Sequence, residues 1–444
     1  MHIRKIKLSN VRGFREVDLD LTRPDGSLAG WTVLAGRNGS GKSSLLKAIA
    51  LAVAGKEVAL RLGLTFEGWI RDGSGEASTL LELSSGESTA PLTWTRNGDP
   101  DEPDLHEGEI QDAIQGLREE FQIDPLSATA KSLQALVRQV AEKRFIAAYG
   151  PYRRLTGEAP DARRLMEGPV PIARLVSLFR EDASLIESVG WLKEIYVQKL
   201  ETRHGAAELE GAVLALLNNG LLQDGVRVDK VDSEGLWVSQ NNVHLPLREL
   251  SDGYRTVAAL VLDIVRHLHR TFSTLEIEQT ADEEGAFWRV LHSGVILIDE
   301  IDNHLHVEWQ QRIGFWLKRH FPNIQFIVTT HSPFICQAAD PGGLIRLSAP
   351  GEKRPVEHVT ESLFKTVVHG SLDEAVLTDL FGLESPFSEE TDQLRDQAAK
   401  LEAMVQTGKA TDADRQSLRE LRAQLPQSMS SAVDQTLRVL AAKR

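Results

Sequence analysis

"WTVLAGRNGSGKSSLLKAIALAVAG", residues 31–55, decides the fold. It runs from an apolar, strand-like segment through a glycine-rich turn into a segment of helix formers. Gly36, Gly41, Lys42 and Ser43 fall in the spacing G-x-x-x-x-G-K-S. Backbone N–H groups at a helix N-terminus attract anions, because the unsatisfied donors and the helix dipole point the same way. A loop of Gly36, Asn38, Gly39, Ser40, Gly41, Lys42, Ser43 and Ser44 is therefore suited to cradle phosphates. Lys42 would neutralise β- and γ-phosphate charge, and the Ser43 hydroxyl is placed for Mg2+. A plain glycine turn before a helix is the alternative, and the strand in front and the helix behind weigh against it. An α/β fold follows.

Two later strands end in polar residues. "SGVILIDEIDNHLH", residues 293–306, is a buried apolar run followed by Asp299 and Glu300. Asp299 stands where the Mg2+ shell of a phosphate loop needs an acid, and Glu300 where a general base would polarise an attacking water. "IQFIVTTHSP", residues 324–333, ends in His331. Polar residues delivered to the carboxyl edge of a parallel sheet mark the usual ligand site of an open α/β fold. Between loop and strands, "LRELSDGYRTVAAL", residues 247–260, turns into a helix with Val257, Leu260, Val261, Ile264, Val265 and Leu268 on its apolar face. That spacing puts Ser251 near the N-cap and Gly253 in the first turn, with the positive end of the dipole facing outward. A plain N-cap would account for Ser251 alone; the order Gly36 loop, Ser251 turn, Asp299-Glu300, His331 would not arise from it.

That ordered set resembles the ABC-type ATPase superfamily, in its soluble branch with the RecF-type recombination mediators, the structural-maintenance-of-chromosomes (SMC) proteins and the overcoming-lysogenization-defect nucleases. "LSNVRGF" (8–14) is similar to the branch's N-terminal Asn-x-Arg-x-Phe element, "LSDGYR" (250–255) to its signature, "IDEIDNHLH" (298–306) to its Walker B and D-loop, and "TTHSP" (329–333) to its switch histidine. "IAAYGPYRRL", "LSDGYRTVAALVLDI" and "DNHLHVEWQ" most resemble compact bacterial ATPases, among them the ATPase subunits of anti-phage systems such as Septu and some retrons. The likeness covers residues 1–70 and 240–335 well and the insert between them only loosely. It departs from the branch where Val307 follows His306 in place of proline, and no Q-loop glutamine stands out, Gln134 and Gln139 being candidates.

The expected architecture is an ABC-type P-loop ATPase head with a mixed sheet: residues 1–107 carry Walker A, 108–240 form a mainly helical insert, 241–345 carry signature, Walker B and switch histidine, and 346–444 form a C-terminal helical extension. "IRKIKLSNVRGFREVDLDL" (3–21) reads as two strands around a turn at Asn10 to Gly13, Val58 to Asn97 as a small antiparallel patch, and "NGDPDEPD" (97–104) as an acidic, turn-rich loop. Leu133, Leu136, Val137 and Val140 keep helical spacing in the insert, as does "ARLVSLF" (173–179). "YGPYRRL" (149–155) reads as a structured loop with solvated arginines, the alternative being contact with nucleotide or nucleic acid. The insert has no sustained heptads, so a long coiled coil is not expected. No metal-holding Toprim cluster follows His331, so the chain is not expected to be a nuclease itself. From Glu390 the tail is helical, with a break at Gly408 and a stop at Pro426. Leu394, Ala398, Leu401 and Met404 line one face and Leu418, Leu421 and Leu425 another, after the apolar turn "LTDLFGLESPF" (377–387). The two stripes suit a hairpin on its own domain and a docking element equally.

Composition bounds the rest. With 444 residues, 41% hydrophobic and 26% charged, the chain is long enough for two or three domains. No apolar run approaches the roughly 18 residues that span a bilayer, and the N-terminus lacks a signal h-region, so a cytoplasmic protein with no membrane contact is expected. The single cysteine, Cys336, excludes an intramolecular disulfide and a cysteine-based zinc site, and reads as a small apolar filler. A net charge of -14 argues against whole-surface nucleic-acid binding and leaves room for a local basic groove.

The resemblance implies ATP and Mg2+ as cofactors and a homodimer, or a higher homo-oligomer of ATP-sandwiched dimers. Lys42, Ser43 and Asp299 of one subunit would hold MgATP while Ser251 and Gly253 of the other reach its γ-phosphate, with Glu300 and His331 catalytic. It also implies a sensor that regulates a separately encoded effector, a nuclease, in anti-phage defence. The alternative is a RecF/SMC-like repair ATPase that binds DNA directly; a translation factor is disfavoured, since those carry two cassettes in one chain.

Overall fold

The computed structural model describes residues 1–64, 68–86, 88–89, 92–95, 98–101, 145–153, 160–168, 170–283, 285–349, 351–352 and 354–425. The helical spacing of Leu133 to Val140, the candidates Gln134 and Gln139, Arg154 to Leu155 and Pro426 lie outside the described residues. The chain divides into two compact units, Met1–Phe381 and Gly382–Arg444.

In the first unit, strands β1 (Ile3–Val11), β2 (Phe14–Asp20), β4 (Glu76–Leu83), β5 (Leu92–Thr95) and β6 (Gly98–Asp101) make an antiparallel sheet in the order β2-β1-β4-β5-β6. β4 alternates buried and less buried residues, as a strand with one face on a core must. Part of the expected acidic loop is thus a strand. The pairing of β6 with β5 supplies what its turn-rich composition did not signal.

The second sheet is the core. β3 (Gly30–Ala35), β7 (Ile146–Tyr149), β13 (Gly294–Ile298), β14 (Ile324–Thr329), β15 (Leu344–Arg346) and β16 (Glu357–His358) lie in the order β16-β15-β3-β14-β13-β7. All but β16 are parallel. Every residue of β13 and β14 is buried, matching their unbroken apolar runs, because a parallel sheet is covered on both faces. β7 lies inside the stretch expected to be mainly helical. Four apolar residues are too few to display a period, and only pairing with β13 makes them a strand.

Helix α1 (Lys42–Arg61) follows the glycine loop and is interrupted at Gly55, so the segment from Val58 to Arg61 is helical where a strand patch was expected to begin. β8 (Arg227–Asp232), β9 (Gly235–Gln240) and β10 (Val243–Pro246) form a meander whose second turn places Asn241 and Asn242 at φ 51° and 65°, the left-handed pair a two-residue hairpin needs. The helix Asp252–Phe272 follows the turn at Ser251, and Cys336 is buried.

The described residues of the second unit hold a helical hairpin, Glu389–Gln406 and Asp412–Gln424, with the turn between them at Gly408 (φ 71°). Ser388 caps the first helix and Thr411, in a capping box with Asp414, the second. Ala398 and Leu418 are its buried contacts. No helix among the described residues is long and apolar enough to cross a membrane.

Candidate active site

Parallel pairing brings the carboxyl ends of β3, β14, β13 and β7 to one edge of the core sheet. The glycine loop, the Tyr149–Arg153 turn, Asp299, Glu300 and His331 all follow strands that end at that edge.

The phosphate loop is tightly enclosed. Gly41 has φ 87°, and a Cβ there would lie 2.7 Å from the Phe14 ring, so the Phe of "LSNVRGF" packs directly on the loop. Arg12 of the same element donates to the Ser44 hydroxyl at 3.2 Å and stacks over Trp69. Lys42 is 6% exposed; its ammonium donates to the carbonyls of Gly36 (2.8 Å) and Arg37 (3.2 Å). Burial pushes its pKa below the ordinary lysine range, against the pull of Glu300, Asp299 and Asp302.

Ser43, at the start of α1, meets Asp299, just past β13. The serine hydroxyl donates to Asp299 Oδ1 at 3.0 Å, and the Thr329 hydroxyl donates to the same oxygen at 2.5 Å. Glu300 adopts φ 45°, a left-handed conformation that is uncommon for a residue with a side chain. Its N–H donates to Thr329 Oγ1 at 2.7 Å, and Asn303 Nδ2 donates to its carboxylate at 3.1 Å. His331 is exposed at the end of β14, its N–H reaching Asp302 Oδ1 at 3.3 Å, while Thr330 donates to that same oxygen. Thr329, Asp302 and Asn303 went unnoticed in the sequence. Asp302 and Asn303 lie within the quoted D-loop, but which side chain turns inward is decided by packing.

Arg153 overturns the reading of "YGPYRRL" as a loop with solvated arginines. It is 1% exposed and donates to the backbone carbonyls of Gly150 (2.7 Å), Asp299 (2.9 Å), Glu300 (3.0 Å) and Ile301 (3.1 Å). Burial lowers its pKa to about 10, with Asp302, Asp299 and Glu300 pulling the other way. Composition suggests an exposed arginine by default; five guanidinium N–H donors suit converging carbonyls once the fold supplies them.

Among the described residues, no hydrogen bond joins Ser251 or Gly253 to this cluster. Ser251 is exposed at the N-cap of its helix (φ -61°, ψ 157°), yet its side chain makes no capping hydrogen bond. A Cβ on Gly253 would lie 3.5 Å from His304 O and 4.0 Å from His306 N, so the signature turn rests on the D-loop of its own chain. The missing proline after His306 leaves an ordered turn: His306 is the N-cap of the helix Val307–His320, its ring accepting the Glu308 N–H at 3.5 Å.

The residues fit a magnesium nucleotide. Ser40 Oγ, inside the loop, is buried without a hydrogen-bond partner, so the cradle holds unused polar capacity. The Ser43 hydroxyl and the Asp299 carboxylate are hard oxygen ligands of the kind magnesium takes together with phosphate oxygens.

A family model described as "AAA domain, putative AbiEii toxin, Type IV TA system" matches residues 31–337. The Septu protein PtuA of Bacillus mycoides (strain KBAB4) is 28% identical over 333 residues, 74% of this chain and 38% of that protein. The Retron Ec83 probable ATPase of Escherichia coli is 45% identical over 105 residues, 24% of this chain and 17% of that protein. The chain thus spans less than two-fifths of either relative's own length. An SMC head domain from Thermotoga maritima superposes over 81% of this chain and 100% of its own at 16% identity, with a TM-score of 0.42.

Proposed function

The chain belongs to the AAA-domain family whose model spans residues 31–337, and we propose that it binds and hydrolyses ATP, closes as a homodimer over two nucleotides, and regulates a separately encoded effector, a nuclease, in cytoplasmic anti-phage defence. The observation that carries the ATPase reading is the meeting of the Ser43 hydroxyl, the Asp299 carboxylate and the Thr329 hydroxyl beside Lys42. Similarity to a Septu protein and to a retron ATPase supports the defence role.

In this reading Lys42 leaves its own loop carbonyls and donates to the β- and γ-phosphates, and Ser43 and Asp299 hold magnesium. Magnesium bound there supplies positive charge against the negative charge that develops during phosphoryl transfer. Glu300 accepts the proton of the attacking water while Asn303 fixes its carboxylate, and His331 approaches the γ-phosphate from the sheet edge. Ser251, whose hydroxyl caps nothing in its own chain, is free to reach the γ-phosphate held by a second copy. Nucleotide occupancy would then set whether two subunits are together, which is the switch an effector reads.

Phosphate release from MgATP by the purified chain, abolished in Lys42→Ala, tests the ATPase. Co-purification with the products of neighbouring reading frames, one of which should cleave nucleic acid, tests the effector role. An ATPase that brings down no partner would leave the enzyme and sink the regulator.

A further inference from the structure

We propose that Arg153 is a positioning residue for hydrolysis: it holds the backbone of Glu300 in the conformation that presents the carboxylate as a base. The inference rests on the ATPase reading above and adds a residue that reading does not use.

The backbone leaves β13 and curls at once. The carbonyls of Asp299, Glu300 and Ile301 all face one guanidinium, at 2.9, 3.0 and 3.1 Å, and Asn303 O lies at 3.5 Å. Consecutive carbonyls converge on a point only when the chain departs from extended geometry, and Glu300 at φ 45° is that departure. A left-handed residue with a side chain persists where surrounding contacts over-determine it, and such residues gather at functional sites. Here the cation adds to two other holds on the same residue, the Thr329 hydroxyl that accepts the Glu300 N–H at 2.7 Å and the Asn303 N–H that reaches Glu300 O at 2.9 Å. The cation also sits among three carboxylates, those of Asp302, Asp299 and Glu300, whose mutual repulsion it offsets.

Arg153 is itself held fast. Its Nη1 closes the turn by donating to Gly150 O at 2.7 Å. At Gly150 a Cβ would lie 2.2 Å from Ser177 O, so that turn is pressed against neighbouring backbone. One residue earlier, Tyr149 O accepts the Asp299 N–H at 2.8 Å, fixing β7 to β13 where the turn begins. A planar fork with donors along its edges bridges these carbonyls; an ammonium with three rotatable donors reproduces only part of the set.

The test compares the full-length wild type with Arg153→Met, Arg153→Lys, Glu300→Gln and the double variant Arg153→Met/Glu300→Gln. Circular dichroism checks folding, a fluorescent ATP analogue gives nucleotide affinity, and steady-state phosphate release gives kcat and KM. The expected result is affinity and KM within about threefold of wild type, kcat lowered about 10²-fold in Arg153→Met, and a smaller loss in Arg153→Lys. In the double variant the Arg153 change should add little to the Glu300 loss, because the two act as one unit. A folded Arg153→Met with kcat within about twofold of wild type, losses that multiply fully in the double variant, or affinity falling in step with kcat would overturn the assignment. Should Arg153→Met not fold, Arg153→Lys carries the same comparison. Absence of phosphate release by the wild type would instead remove the ATPase reading, and this inference with it.

Discussion

Ser43 and Asp299 stand 256 positions apart in sequence and 3.0 Å apart in space, hydroxyl donating to carboxylate. The link is made by β3 and β13, which flank β14 in the core sheet and end at the same edge. A hydroxyl and a carboxylate share an oxygen-lined corner whose charge favours a hard cation.

Removing either ligand should therefore weaken magnesium use more than nucleotide binding. Ser43→Ala and Asp299→Asn are expected to raise the Mg2+ concentration needed for half-maximal hydrolysis about 10- to 100-fold. Titrating magnesium at saturating ATP measures it. An unchanged midpoint in both variants would take the metal role from this pair.

Glu300→Gln keeps the size of the side chain and loses the base. Turnover is expected to fall by about 10²-fold or more with ATP affinity retained, and an ATP-bound dimer should accumulate on size-exclusion chromatography. Near-normal phosphate release would remove Glu300 from its role.

Ser251 lies outside the Lys42–Asp299 cluster of its own chain, so its contribution should come in trans. Ser251→Arg is expected to abolish hydrolysis with ATP affinity per subunit nearly intact, since the bulky cation blocks closure without touching Lys42. Mixing it with Lys42→Ala should restore one of the two sites in each mixed dimer, the site pairing an intact Lys42 with an intact Ser251. No recovery at any mixing ratio argues against a shared site.

The tail hairpin, cut at the boundary after Phe381, separates two roles. If it docks an effector, deleting residues 382–444 should leave ATP hydrolysis within about twofold while partner association is lost. If it shields apolar surface of its own chain, the truncated protein should melt several degrees lower, of order 4 °C, and aggregate. The thermal midpoint, the ATPase rate and partner co-purification on one truncated protein decide between them.

Much of this site was legible because its parts are short and carry their own geometry. The glycine loop is encoded within eight consecutive residues, Gly36 to Ser43, and its backbone donors need only the helix behind them. Asp299 and Glu300 follow an apolar run that has no choice but burial, and the N-cap position of Ser251 follows from the helical spacing after it. What stayed hidden shares one feature: the chemistry depends on a partner remote in sequence. Arg153 looks solvated until β7 pairs with β13 and three carbonyls, 146 to 148 positions further on, close around it. Thr329 is an ordinary strand residue until the sheet order sets it beside Asp299.

Sequence alone thus determined the glycine loop between strand and helix, the Asp299–Glu300 pair after its apolar strand, the position of His331 just past the next strand and the helix behind Ser251, since each is set by backbone propensities within a few residues. Tertiary structure decided the sheet order, the left-handed turn at Glu300 and the buried arginine that holds it. Those depend on which strands pair and which charges are desolvated together, and the free energy of a buried ion among carbonyls and carboxylates exists only once the chain has closed around it.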